Sequence, residues 1–151
     1  MPRASIYYFT EDVNFTFPNT KPTTDWLKTV IRQEGYRLLS LNFIFCSDNY
    51  LHAKNLEYLQ HDTLTDVITF SYAEKTYTIE GEIYISIERV RDNATIYQSD
   101  FWDELYTVMI HGILHLLGYN DHTLEEKEEM RKKENDYLFT RLISLGIIKK
   151  S

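Results

Sequence analysis

The chain is expected to fold as α+β, and three observations point that way. Segments with strand patterning cluster in roughly the first ninety residues, helical periodicity dominates after them, and one helical segment is apolar enough to be a buried central element. At 151 residues it is expected to form one domain spanning 1–151, large enough to bury a core without disulfides. Hydrophobic residues make up 43% and aromatics 15%, which excludes a disordered chain. Cys46 is the only cysteine, so a disulfide framework and a cysteine-based zinc knuckle are both excluded.

Ser5–Phe9 and Val13–Phe17 alternate and carry β-forming residues, so both are expected as strands. Residues Pro18 to Pro22 form a turn, and Thr23 or Thr24 caps a helix over Asp25–Glu34 with Trp26, Leu27, Val30 and Ile31 as its apolar face. Leu38–Phe45 is apolar nearly throughout at its end, as a strand covered on both faces is. Cys46 follows it as a buried, inert thiol. Ser47 opens a short helix to about Tyr58, with Leu51, Leu56 and Tyr58 inward. Asp66–Phe70 and Thr78–Ile87 are strands, and the alternation of Ile83, Ile85 and Ile87 points one side at the core. A helix runs from Glu88 to about Tyr97. Ser99 or Asp100 caps the next, which buries Leu105, Val108, Met109, Leu114 and Leu116. Thr123 and Glu126 make a capping box for the last helix, whose acidic-then-basic charge run is a solvated face.

The chemistry concentrates in His111-Gly-Ile-Leu-His115-Leu-Leu-Gly118-Tyr-Asn-Asp-His122, which holds three of the five histidines. His111 and His115 are four apart on a helix, so they share a face and can share one metal ion. Gly118 ends the helix and turns the chain, bringing Asn120, Asp121 and His122 back toward the pair. A third ligand there would leave one position open, the mark of a catalytic rather than a structural metal.

This stretch resembles the signature H-G-x-L-H-L-x-G-Y-D-H of the YbeY family, bacterial zinc-dependent endoribonucleases of rRNA maturation and ribosome quality control. The chain carries one extra residue, so strict counting puts Asp121 in the place of the family's third histidine. Taking Asn120 as an insertion makes His122 the third ligand beside His111 and His115, with Asp121 the alternative ligand and otherwise a catalytic residue near the metal. Tyr58 to Phe70 resembles the family's Y-R-x-x-D-x-P-T-D-V-L-S-F, matching at Asp62, Thr65, Asp66, Val67 and Phe70. Leu59 stands where the family has an arginine, and Leu64 replaces the proline. His61 could take over part of that arginine's phosphate-binding role. The resemblance covers roughly residues 38 to 130 and implies a mixed sheet of about four strands with several packed helices, the histidine helix central.

The resemblance further implies one zinc ion per chain and single-strand-specific cleavage in 16S rRNA 3′-end processing. As partners it implies rRNA and the small ribosomal subunit, with ribosomal proteins or an Era-like GTPase also in reach. A net charge of −7 would not by itself suggest RNA. No signal peptide or membrane-length apolar run is present, so the expected location is the cytoplasm, with no membrane partner. Two other functions compete. One is a metzincin-like peptidase, which its histidine spacing allows but which lacks a general base, because Gly112 follows the first histidine. The other is a ribosome-associated zinc-binding factor with weak intrinsic cleavage.

Overall fold

The computed structural model describes residues 5–59 and 65–145. In chain order they form β1 (Ser5–Thr10), α1 (Thr20–Gln33), β2 (Arg37–Cys46), α2 (Asp48–Lys54), a π-helical turn (Asn55–Leu59), β3 (Val67–Ser71), β4 (Thr78–Ser86), α3 (Ile87–Ile96), α4 (Phe101–Leu116) and α5 (Leu124–Ser144). The sheet has four strands in the order β1-β2-β4-β3. β1 and β4 both run parallel to β2, and β3 returns antiparallel along β4. This is the α+β fold that the sequence predicts, with the mixed sheet that the family resemblance implies.

Alternation along the two central strands divides the core. Leu41, Phe43 and Phe45 of β2 and Ile83 and Ile85 of β4 join Trp26, Leu27, Leu105, Met109 and Ile113 in the larger cluster, on the side covered by α1, α3, α4 and α5. Ile44, Cys46, Ile68 and Tyr84 face the other way, against Leu51 of α2. Each large side chain so buried contributes about 1.5–3 kcal/mol. Cys46 is fully buried, and burial followed by the charges of Asp12 and Asp48 pushes its thiol up to about 12, so it is inert.

Four local expectations are corrected. Val13–Phe17 is not a strand: Asp12, at φ 38, turns the chain off the sheet after β1. The alternation there is real but serves packing, with Phe17 stacked on Tyr8 and Phe45 at 5.0 and 5.3 Å and Phe15 edge-on to Phe45. Helix α1 starts earlier than predicted, following Asn19. Pro22 fits inside its first turn because an N–H there has no helical partner anyway, and the Thr24 hydroxyl is bonded to Tyr8 Oη at 2.9 Å rather than capping. Leu56 is exposed, not buried, where the helix passes into the π turn at Asn55, and the side chain of Tyr58 lies outside the described residues. Leu116 is only half-buried, the helix ending there. Among the described residues no helix is long and apolar enough to cross a membrane.

Candidate metal centre

Helix α4 opens on Asp100, whose carboxylate accepts from the backbone N–H groups of Trp102 and Asp103 at 3.0 and 3.3 Å. The helix lies directly on β4 at Gly112. A Cβ there would sit 2.9 Å from Ile83 Cγ2 and 3.5 Å from Thr69 Cγ2. With Gly112 turned to the sheet, the half-buried His111 and His115 occupy the adjoining face. The helix stops at Gly118, which takes φ +97. Tyr36 Oη then donates to Leu117 O at 2.8 Å, tying the helix end to the start of β2.

Each imidazole is held by its Nδ1. His111 Nδ1 meets Glu134 Oε2 of α5 at 2.7 Å, and His115 Nδ1 meets the Tyr119 carbonyl at 3.1 Å. A carboxylate and a carbonyl accept, so each Nδ1 carries a proton, and in the neutral imidazoles both Nε2 atoms present lone pairs. Those two Nε2 atoms are 3.0 Å apart, and Asp121 Oδ2 lies 3.5 and 3.6 Å from them. A tetrahedral zinc with ligands at about 2.0–2.2 Å spaces its donor atoms about 3.3–3.6 Å apart. Three acceptors converging at these distances repel one another unless a cation or a proton sits between them. His111, His115 and Asp121 are accordingly the group of described residues that can hold a metal ion.

The titration of the pair follows from the same geometry. Burial would lower His111, but the hydrogen bond and charge of Glu134, with Asp121 and Asp66 adding, overcome it and leave it raised. His115 is lowered, by burial and then by the positive charge on His111, against the pull of Asp121. Metal and proton therefore compete for one place.

A model of the family described as Endoribonuclease YbeY matches residues 8–141. This chain belongs to the YbeY family. It is 70% identical over 146 residues to the protein named Endoribonuclease YbeY of Amoebophilus asiaticus strain 5a2, covering 96% of this chain and 99% of that one. To the protein of the same name from Cytophaga hutchinsonii it is 46% identical over 141 residues, covering 93% and 99%. Its fold is similar to a Thermotoga maritima protein solved in solution, with a TM-score of 0.62 and 31% identity over 91% of this chain and 89% of that one.

Within this YbeY-family chain the turn after Gly118 brings Asp121, not His122, to the two histidines. His122 is exposed and stands outside the converging group. The cause is the capping box that starts two residues after Asp121. Thr123 N donates to Glu126 Oε1 at 2.9 Å and Glu126 N to Thr123 Oγ1 at 3.0 Å, which fixes the chain at His122 with its side chain outward. His61 and the side chain of Leu59 lie outside the described residues.

Sequence reasoning missed Glu134 and Glu34. Glu134 was hidden in the charge run of α5, yet it falls four residues after Met130 and three before Tyr137, the two buried positions of that helix. A carboxylate on the buried stripe was the available signal. Glu34, at the end of α1, accepts from Tyr119 Oη at 2.6 Å, from Tyr137 Oη and from Lys133 Nζ at 3.2 Å. It thereby anchors the very residue whose carbonyl orients His115.

Burial alone would raise the Glu34 carboxyl, but the hydrogen bonds from Tyr119, Tyr137 and Lys133 together outweigh it and hold it below its ordinary 4.5. A depressed carboxylate contributes stability that is complete above the ordinary value and is lost as pH falls through the folded-state value. Glu34→Gln is therefore expected to weaken the loss of stability below pH 4.5, read by denaturant unfolding at neutral and acid pH. An acid limb as steep in the variant as in the parent would refute this role.

Proposed function

We propose that this chain is a zinc-dependent, single-strand-specific endoribonuclease of 16S rRNA 3′-end maturation and ribosome quality control. We place it in the cytoplasm, as one domain over 1–151, acting on rRNA at the small ribosomal subunit, with ribosomal proteins or an Era-like GTPase as further partners. The observation that carries the reading is the convergence of His111 Nε2, His115 Nε2 and Asp121 Oδ2, each pair within 3.6 Å. Family membership supplies the reaction class, because the relatives are named endoribonucleases.

His111, His115 and Asp121 would hold one zinc ion. When bound, it would supply a Lewis acid for a phosphoryl oxygen and lower the pKa of a coordinated water to about 7. Glu134 and the Tyr119 carbonyl keep the two imidazoles in the tautomer that binds. Asp121, exposed on one side, sits at the solvent edge of the group. The cleft next to His111 contains two more carboxyl groups. Burial raises Asp66, and burial followed by the charges of Asp66 and Glu134 raises Glu104. In our reading Asp66, which lines the same cleft as His111, is the base that takes the proton from the attacking oxygen and returns it to the leaving one. His61 is our proposed contact to the scissile phosphate.

Native protein should contain about one zinc per chain by this reading. It should cut single-stranded RNA, lose that activity on chelation and regain it with zinc. Full cleavage by metal-free protein in chelator would overturn the proposal.

A further inference from the structure

Beside the three donor atoms lies a cleft of about 270 Å³, lined by Asp66, Asn93, Tyr97, Glu104, His111 and Glu134 with three neighbours. Proteins ordinarily meet nucleic acid with Lys and Arg against phosphate, yet among the described residues neither lines this cleft. Arg89 Nη2 is held by Asp48 Oδ2 at 2.7 Å, and Lys133 Nζ by Glu34 Oε2 at 3.2 Å. A phosphate entering here would face carboxylates. What fits a cleft rich in acceptors is a ligand edge rich in donors.

Tyr97 sits at its rim and ends α3, where Tyr97 N donates to Asn93 O at 2.9 Å and Ser99 N to Ala94 O at 2.9 Å. Gln98, at φ 55, turns the chain away after it. That locks the backbone of Tyr97 while its side chain is 68% exposed. The ring makes no aromatic or hydrogen-bonded contact among the described residues, and neither does the amide of Asn93 one turn earlier. A large aromatic held this way beside a reactive centre is a stacking surface without a partner.

We propose that this cleft seats one unpaired nucleobase of the RNA, stacked on Tyr97, and selects a base with an exocyclic amino group over uracil. The inference rests on the endoribonuclease reading above and adds the substrate feature that the cleft selects. Carboxylates accept from the amino groups of cytosine, adenine and guanine, and an asparagine amide pairs in both directions with an adenine edge. Uracil offers a single N3–H between two carbonyl oxygens and has no amino group, so it gives this acceptor-rich lining fewer donors than the other bases. Only an unpaired, unstacked base can enter such a cleft, so the same feature favours single strands over duplex.

Two measurements test it on zinc-loaded protein. In the first, AMP, CMP and UMP are titrated while the Tyr97 ring signals are followed by NMR. AMP and CMP should perturb those signals and bind about tenfold more tightly than UMP, the scale of one good base contact. In the second, oligonucleotides of A, C or U are cleaved by wild type, Tyr97→Ala and Tyr97→Phe. Base–aromatic stacking implies that Tyr97→Ala raises KM about tenfold with kcat little changed, and that Tyr97→Phe, which keeps the ring, restores the low KM. Equal binding of UMP, or a KM untouched in Tyr97→Ala, would overturn the inference. Discrimination among the mononucleotides without any RNA cleavage would instead overturn the endoribonuclease reading and leave the base site standing.

Discussion

Asp121→Asn is expected to lose metal affinity by more than about a hundredfold, exceeding the 10–100-fold typical of losing an outer partner. His122→Ala should hold its metal as the parent does, because its side chain is exposed and outside the donor group. The asparagine keeps the size of the side chain but exchanges an anionic oxygen for a neutral amide, so the change is one of charge rather than shape. His111→Ala and His115→Ala each remove one of the two nitrogens that stand 3.0 Å apart and should abolish stoichiometric metal in a folded protein. Glu134→Gln sits between these extremes: the amide can still accept from His111 Nδ1 but no longer offsets the ion's charge, so a loss of about tenfold is expected. Metal analysis after dialysis, with circular dichroism as the folding control, orders all five variants. Metal lost from His122→Ala and kept in Asp121→Asn would transfer the third position to the histidine.

Gly112→Glu is expected to unfold the protein instead of making it a peptidase. In a metzincin-like enzyme the residue after the first histidine is the general base, but here that position faces the sheet. Even the Cβ of an alanine would come within 2.9 Å of Ile83 Cγ2 and 3.2 Å of Ile83 Cδ1. Overpacking of that kind costs about 1–3 kcal/mol, and Gly112→Ala should show a loss in that range by urea unfolding. A glutamate adds a buried charge whose uncompensated burial costs several kcal/mol more, comparable to the whole stability of about 5–15 kcal/mol. A folded Gly112→Glu protein that hydrolyses peptides would contradict the packing and reopen the peptidase reading.

Much of this molecule was legible from local pattern. The histidine pair follows from helical spacing, and Gly118 and the Thr123–Glu126 box were readable as a stop and a start because caps are satisfied within a few residues. Trp26, Leu27, Val30 and Ile31 declared the inner face of α1 by periodicity alone. Where the reading failed, a local pattern had two physical realisations. Alternation in Val13–Phe17 fits a strand or an extended segment plugging aromatics into a core, and only the turn at Asp12 separates them. Asn120 could be an insertion or part of the turn, and counting residues cannot say which way the following side chains point.

The sequence by itself determined the fold class, the helix that carries the candidate metal site and two of the three converging side chains, because these depend on periodicities and caps shorter than a few turns. The tertiary structure decided which side chain completes the donor group, which carboxylate holds His111, and what lines the cleft beside it. Glu134 meets a histidine 23 residues away, and Glu34 meets Tyr119 across 85. Such contacts have no local signature, since they exist only once α1 and α5 pack against α4 and bring charged groups together on faces that each helix, taken alone, would leave in water.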